Sequence, residues 1–445
     1  MQKSGGCAIL SLVFDITHKA MIFWRHKVSV TRKKRVEAWL VAVCSFIYFV
    51  SYFSRKSFAA AMAGMISEGI IDKVDGGFIG MGLFICYGAG QLISGYLGDK
   101  IKPKYLIMIG VATTCVCNLA MPLVTSPAVM IVAWSVNGLA QAMLWPPIVK
   151  LLSENLDGDA YVRANLVITS AAHVATILLY LFVPVCLEFF AWETVFFTAS
   201  AIALLSVPVF AIIMKIVISG GLTDGVEPKA PKDAAKKDDG YFGLLVKSGI
   251  IPVFICIIMM GFLRDGIESW LPTLYSEAFS REASESTLIS VALPIFSIIM
   301  VSVTTAMHKT KFFGNEVTSS LVFFVGCAVV GVPLYFIIGI DAAWARVLSL
   351  ILTMLISGAM HGCNFMLISC LPGRFAKAHR SATTSGLCNA FVYIGAALSM
   401  YGIAAIAENL GWNATVLSWI IVAVVGAIFC AIALRSYSGF FDGEK

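Results

Sequence analysis

Residues 37–62 read EAWLVAVCSFIYFVSYFSRKSFAAAM. A helix needs about 20 apolar residues to cross the hydrocarbon of a bilayer, and this run is long enough. The basic cluster Arg32 to Arg35 lies directly before it and serves as its inner anchor. Two cations, Arg55 and Lys56, nevertheless sit inside it. An ionisable group within a span costs roughly 2.5–3.5 kcal/mol on insertion scales, so each needs a reason to be there. The run predicts both a membrane helix and a charged requirement within it.

The rest of the 445 residues agrees: 59% are hydrophobic and 13% charged. A soluble domain runs nearer half apolar and a quarter charged, so this chain has too little polar surface for water. That excludes an ordinary cytosolic enzyme, a disordered chain and a nucleic-acid binder, and it makes lipid a partner. The twelve cysteines are scattered singly through apolar stretches, with no pair at metal spacing, and read as core residues. No metal or cofactor is expected. No nucleophile–base set or phosphate-cradling glycine loop stands out, so an enzyme is not expected. The glycines of the second span, Gly80, Gly82, Gly88, Gly90, Gly95 and Gly98, read as close helix packing.

Eleven further apolar runs follow the first, at about 77–98, 104–123, 127–153, 164–188, 193–216, 249–274, 287–307, 315–339, 344–370, 382–407 and 412–434. Short alternating segments of the β-barrel kind are not seen. With the N-terminus inside, 26 Lys and Arg fall on inner segments and three, Lys73, Arg281 and Arg346, on outer loops. The positive-inside rule then predicts both termini in the cytoplasm of an inner or plasma membrane. The three remaining cations, Arg55, Lys56 and Arg264, lie within spans. A charged stretch at 217–247, with no apolar pattern at its centre, divides the spans six and six. The expected organisation is an N-terminal tail (1–36), a six-helix half (37–216), a cytoplasmic linker (217–247), a second half (248–435) and a short tail (436–445). This is an all-α polytopic fold of two pseudo-symmetric halves about a central cavity, the layout of secondary transporters.

Arg55 lies about eighteen residues into the first span and Arg264 about fifteen into the seventh. These are the first spans of each half, so repeat symmetry turns them toward each other. Two guanidiniums converging on one cavity repel unless an anion comes between them, and the planar fork of Arg matches phosphate oxygens. The opposing reading pairs each Arg internally. For Arg264 it has substance, because Asp265 is adjacent and Glu268 one turn along. For Arg55 it has little, because no acidic residue lies in the interior of the first six spans. Tyr48, Tyr52 and Arg55 share one helical face, while Lys56 is turned from it by about 100° and is expected at the cavity rim or snorkelling. His173, in the fifth span, is an intramembrane imidazole that reads either as a satisfied core residue or as a ligand.

Several strings resemble a known family. Gly95-Tyr-Leu-Gly-Asp99-Lys100-Ile-Lys-Pro-Lys104 is similar to the loop signature of the major facilitator superfamily, a gating motif whose Asp pairs across helix ends. Tyr48-Phe-Val-Ser-Tyr52-Phe-Ser-Arg55-Lys56-Ser-Phe58, Asn137-Gly-Leu-Ala-Gln141-Ala-Met-Leu-Trp145-Pro146-Pro147 and Gly261-Phe-Leu-Arg264-Asp-Gly266-Ile-Glu-Ser-Trp270-Leu-Pro272 resemble three span motifs of the organophosphate:phosphate antiporter family. His173 and Tyr393 fall where members have a cavity His and Tyr. The resemblance implies that Arg55 and Arg264 hold a phosphoryl group, with Tyr48, Tyr52, Lys56, Trp145, His173, Tyr393 and Gln91 around it. It implies exchange of inorganic phosphate for a metabolite such as glycerol 3-phosphate or a hexose 6-phosphate, by rocking of a monomer's two halves. The chain departs from the pattern at several places, among them the inner loop after span eight (His308 to Glu316), which is only a remnant of the Asp-and-basic signature. Gln91 stands where phosphate-transporting relatives often carry Lys, Ala142 and Leu144 replace glycines, and Gly362 stands where some members have a cavity Tyr. Two other readings stay open: a transporter-like sensor of sugar phosphates, and a carrier of another organic anion that is proton-coupled through His173 or Glu268.

Overall fold

In the computed structural model the described residues are 5–224, 241–309, 314–378 and 381–441, and among them there is no strand. Side chains are described from residue 33 onward, with exceptions that include Gly95, Asp99 and Lys100. The first six spans are α1 (Gly5–Ser67), α2 (Lys73–Lys100), α3 (Pro103–Ala120), the pair α4 (Pro127–Ala142) and α5 (Trp145–Asn155), α6 (Gly158–Phe189) and α7 (Glu193–Ser219). The last six begin with the short α8 (Tyr241–Lys247), bent by 82° from α9 (Ile251–Ala278). There follow α10 (Ala283–Ile289) with α11 (Ala292–Lys309), then α12 (Glu316–Ile337), α13 (Ala343–Asn364) and α14 (Ser381–Phe441). Ten described helices are long and apolar enough to cross a membrane, eleven when the bent pair counts as one span. The helix α14 holds two spans, because Gly411 interrupts it at φ 82°, a left-handed conformation that glycine adopts freely. The twelve spans of the sequence reading are therefore present, and the protein is an integral membrane protein of all-α fold.

Sequence chemistry sets the breaks. The fourth span stops after Ala142 and restarts at Trp145, where Pro146 and Pro147 supply no N–H and fit only a first turn. The tenth span leaves α-geometry after Asn364 through a π-turn, Phe365–Cys370. Large apolar side chains such as Leu92, Val116, Leu204, Val329 and Ile432 point outward and are exposed, which suits a lipid-facing surface. Of the eleven described cysteines, nine are buried in the core.

Lipid offers no hydrophobic drive between helices, so small residues that let backbones meet do much of the packing. A Cβ on Gly261 would run into the carbonyl of Val392, and one on Gly395 into that of Ile258, so α9 and α14 touch backbone to backbone. The second-span glycines divide between two partners. Gly77, Gly80 and Gly88 face α14 at Ala404, Met400 and Tyr393, whereas Gly82 and Gly90 face α4 at Ser135 and Ala142. The expectation of close packing is met at Gly80, Gly82, Gly88 and Gly90. The first three contacts join the two halves.

At the end away from the termini the halves are clasped. Lys73 Nζ lies 2.8 Å from Glu277 and 3.1 Å from Glu408, and Trp412 Nε1 donates to Glu277 at 3.0 Å. At the other end, Asp224 of the linker accepts from Lys102 at 3.2 Å and Lys104 at 3.0 Å. Of the loop motif, Lys104 binds the linker, and Gly95, Asp99 and Lys100 lie outside the described side chains. Burial raises the Asp224 pKa, but the hydrogen bonds and charges of Lys104 and Lys102 outweigh it and hold the carboxyl below its ordinary value.

Two outcomes follow. Gly395→Ala places a methyl against the α9 backbone and is expected to destabilise by at least about 1–3 kcal/mol, read as a lower unfolding temperature in detergent. Asp224→Asn is expected to speed amide hydrogen exchange at residues 220–224. Because the folded pKa is depressed, the latch is present above the ordinary carboxylate range. In the native chain the same loss therefore appears only as the pH falls through the lowered value.

Candidate functional site

One cavity of about 260 Å3 lies between the halves, and its wall collects most of the chain's intramembrane charge. Tyr48, Tyr52 and Arg55 reach it from α1, as their shared face requires, with the Tyr48 and Tyr52 rings 5.0 Å apart. The Arg55 guanidinium lies 4.3 Å from the Tyr52 ring centroid and 5.0 Å from that of Tyr87 on α2. Among the described residues it makes no ion pair with a carboxylate. Aromatic faces attract a cation without cancelling its charge, so Arg55 stays available to an anion. Trp145, at the restart of the fourth span, packs on Tyr48 at 4.9 Å. Gln91, His173 and Tyr393 also line the cavity. Tyr393 meets the Tyr87 ring at 4.6 Å, which brings an eleventh-span residue to the Arg55 cage.

Arg264 enters the same cavity from α9. Its Nη2 donates to Asp265 at 2.7 Å and its Nη1 to Asn364 at 2.6 Å. Asn364 is the last residue of α13 before the π-turn. Internal pairing of Arg264 is thus real, but with Asp265 and not with Glu268.

Lys56 differs most from expectation. Instead of sitting at the rim or snorkelling, it is buried, and its Nζ donates to Glu268 Oε2 at 2.9 Å. The reason is electrostatic: a buried ammonium turned toward the facing half finds there a carboxylate that balances it. The other oxygen of Glu268 lies 2.6 Å from His361 Nε2. The His361 ring is 6.5 Å from that of His173. The Tyr180 hydroxyl donates to the Glu268 backbone carbonyl at 3.2 Å, a further contact between α6 and α9.

The structure therefore brings together all nine sequence-predicted cavity residues. It also adds residues that sequence reasoning passed over: Tyr87, Tyr180, His361, Asn364 and a new role for Glu268. The rule that singled out His173 applies equally to His361, an imidazole inside the tenth apolar run. The departure at Gly362 has a steric cause, since a Cβ there would meet Thr304 Oγ1 at 2.6 Å and Phe323 at 3.1 Å. A larger side chain at 362 would require Thr304 and Phe323 to shift, and position 361 beside it supplies a polar group. Gln141 of the fourth-span motif stays inside the first half, accepting from Ser51 at 2.5 Å and donating to Thr114 at 3.1 Å.

Twelve spans in two halves around a buried charged cavity define a membrane carrier. The chain belongs to the Major Facilitator Superfamily, whose profile matches residues 44–400. It is similar to the probable hexose phosphate transport protein of Chlamydia trachomatis, with 21% identity over 89% of this chain and 91% of that one. It is also similar to the glycerol-3-phosphate transporter of Bacillus subtilis, with 24% identity over 87% and 90%. These relatives match the organophosphate:phosphate antiporter family to which the span motifs point. A crystal structure of a bacterial homologue of the human lysosomal transporter Spinster superposes with a TM-score of 0.72 at 12% identity, covering 90% of this chain and 98% of that one. That likeness speaks for the fold alone.

Breaking a buried pair costs more than never having had it, because one charge is left uncompensated. Lys56→Met is expected to destabilise the protein by about 3 kcal/mol. Lys56→Met combined with Glu268→Leu is expected to recover most of that loss. Thermal unfolding of the purified variants measures both.

Proposed function

We propose that this carrier exchanges a phosphate ester, a glycerol phosphate or hexose phosphate, for inorganic phosphate across the membrane. The observation that carries the reading is Arg55: a half-buried guanidinium between two tyrosine faces, without a carboxylate partner among the described residues, in a cavity that Arg264 shares. A phosphoryl group takes the Arg55 fork and the donors that Arg264 has left over. Tyr48, Tyr52, Tyr393 and His173 surround it as hydrogen-bonding groups, and Trp145 and Gln91 line the approach. The names of the relatives support phosphorylated substrates.

Exchange follows from charge. An empty cavity with a net positive charge is costly to carry through the membrane, and either anion relieves that cost. Each half then rocks about the bound anion. The cation bias of the loops puts both termini in the cytoplasm, so the clasp at Lys73, Glu277, Glu408 and Trp412 closes the outer end. The Gly77, Gly80 and Gly88 contacts with α14 lie along the surface on which the halves move.

Proteoliposomes loaded with phosphate test the reading. Labelled phosphate, glycerol 3-phosphate or glucose 6-phosphate should enter only when phosphate is inside. Arg55→Lys and Arg264→Lys should each weaken substrate binding about 10- to 100-fold, since a hydrogen bond to a charged group is worth about 1.5–3 kcal/mol. Binding without exchange in well-folded protein points to a sensor. Native rates in either variant overturn the two-arginine site.

A further inference from the structure

The two arginines of the cavity are aimed in different ways. The Arg264 fork is held by side chains, donating to Asp265 at 2.7 Å and to Asn364 at 2.6 Å. Arg55 has ring faces beside it and no carboxylate among the described residues. A ring face attracts a cation electrostatically over a range of angles, so it does not fix the direction of the fork. A bidentate pair with a phosphoryl group needs that direction to hold within about 10–20°. The aim of Arg55 therefore depends on the rotation of α1 itself.

That rotation is braced from behind the cavity wall. Ser51 lies one turn before Arg55 and about 40° from it around the helix. It is buried and donates to Gln141 Oε1 at 2.5 Å. Gln141 is buried too, and its Nε2 donates to Thr114 Oγ1 of α3 at 3.1 Å. One turn further along α3, Asn118 accepts from Ser57 of α1 at 3.0 Å, and its Nδ2 donates to the Thr114 carbonyl at 2.9 Å. Just past Gln141, the Trp145 ring packs on Tyr48 at 4.9 Å. The fourth span thus touches α1 at two successive turns, both directly before Arg55. On the other flank Lys56, about 100° round from Arg55, is tied to Glu268 of the second half. The Lys56 tie crosses between the halves, whereas the Ser51–Gln141 bond stays within the first.

We propose that Gln141 is a positioning residue for the phosphoryl site: through Ser51 it fixes the rotation of α1 and with it the aim of Arg55. The inference rests on the phosphate-ester reading above. An arginine aimed from within its own half keeps its direction while the halves rock and the Lys56 tie is open. The same bond leaves Arg264 untouched, because Asp265 and Asn364 of the second half hold that fork.

The test is equilibrium binding of labelled inorganic phosphate, glycerol 3-phosphate and glucose 6-phosphate to the purified full chain. Gln141→Met keeps an adaptable side chain of similar length and leaves the Ser51 and Thr114 hydroxyls free to bond carbonyls one turn back in their own helices. It should bind every ligand that the native chain binds about tenfold more weakly, as a misaimed group does. Ser51→Ala should show the same loss, and the two together no more than either alone, because both break one bond. Ser51→Ala also carries the test should Gln141→Met fail to fold. In the Arg55→Lys background Gln141→Met should cost nothing further, whereas in the Arg264→Lys background it should cost the full factor. Native affinity in Gln141→Met or in Ser51→Ala overturns the proposal. An equal loss in the Arg55→Lys background also overturns it, because the effect then does not pass through Arg55. Absence of binding of all three ligands by the native chain sinks the phosphate-ester reading itself, whereas native binding that Gln141→Met leaves unchanged sinks only the positioning role.

Discussion

Lys56 reaching across from the first span to Glu268 on the seventh is the contact around which the rest of the site is arranged. An ammonium in the middle of a membrane protein has few options: it reaches water, binds an anion, or meets a carboxylate. Here it meets a carboxylate from the opposite half, so the two halves share one charge pair at the centre of the molecule. Glu268 in turn orients His361, and Asp265 takes over the pairing of Arg264. Arg55, the remaining cation, is left with aromatic faces. The division of labour among these residues is a consequence of pairing, and it could not be assigned to any one of them alone.

Glycine is the other constraint, because it decides how the charged wall is brought to one place. Backbone contact at Gly261 and Gly395 fixes α9 against α14, which sets Arg264 and Tyr393 on one cavity wall. On the other side Gly88 admits Tyr393 against α2, so Tyr393 can reach the Tyr87 ring and close the cage around Arg55. Small residues at helix contacts thus set the distances of large polar ones, with lipid contributing nothing between the helices.

The spans, their order and the break between halves were legible in the sequence because hydrocarbon imposes length and apolarity on each helix separately. The face carrying Tyr48, Tyr52 and Arg55 was legible for the same reason, being a property of one helix. What one helix cannot reveal is partner choice. Asp265 and Glu268 both read as partners of Arg264; Asp265 takes that place, and Glu268 pairs instead with a residue 212 positions earlier. Lys56 was misplaced at the rim because its 100° offset from Arg55 says where it leaves its own helix and nothing about what waits opposite. Crowding at Gly362 likewise depends on Thr304 and Phe323, which lie two helices and one helix earlier in the chain.

The tie between Lys56 and Glu268 also bears on how such a carrier moves. A pair that joins both halves near the substrate resists any motion that separates them, and its strength depends on how much counter-charge each partner still has. A guest that competes for Lys56 weakens the tie from inside the cavity, while the clasp of Lys73 with Glu277 and Glu408 holds the far end by exposed or half-exposed groups. Half-exposed ion pairs are individually weak and solvent-screened, so they set a small barrier. The central pair is shielded from water and sets a larger one. Substrate binding acts on the stronger of the two locks directly, and the weaker one can then open by thermal motion. Opening without substrate would have to break the central pair uncompensated.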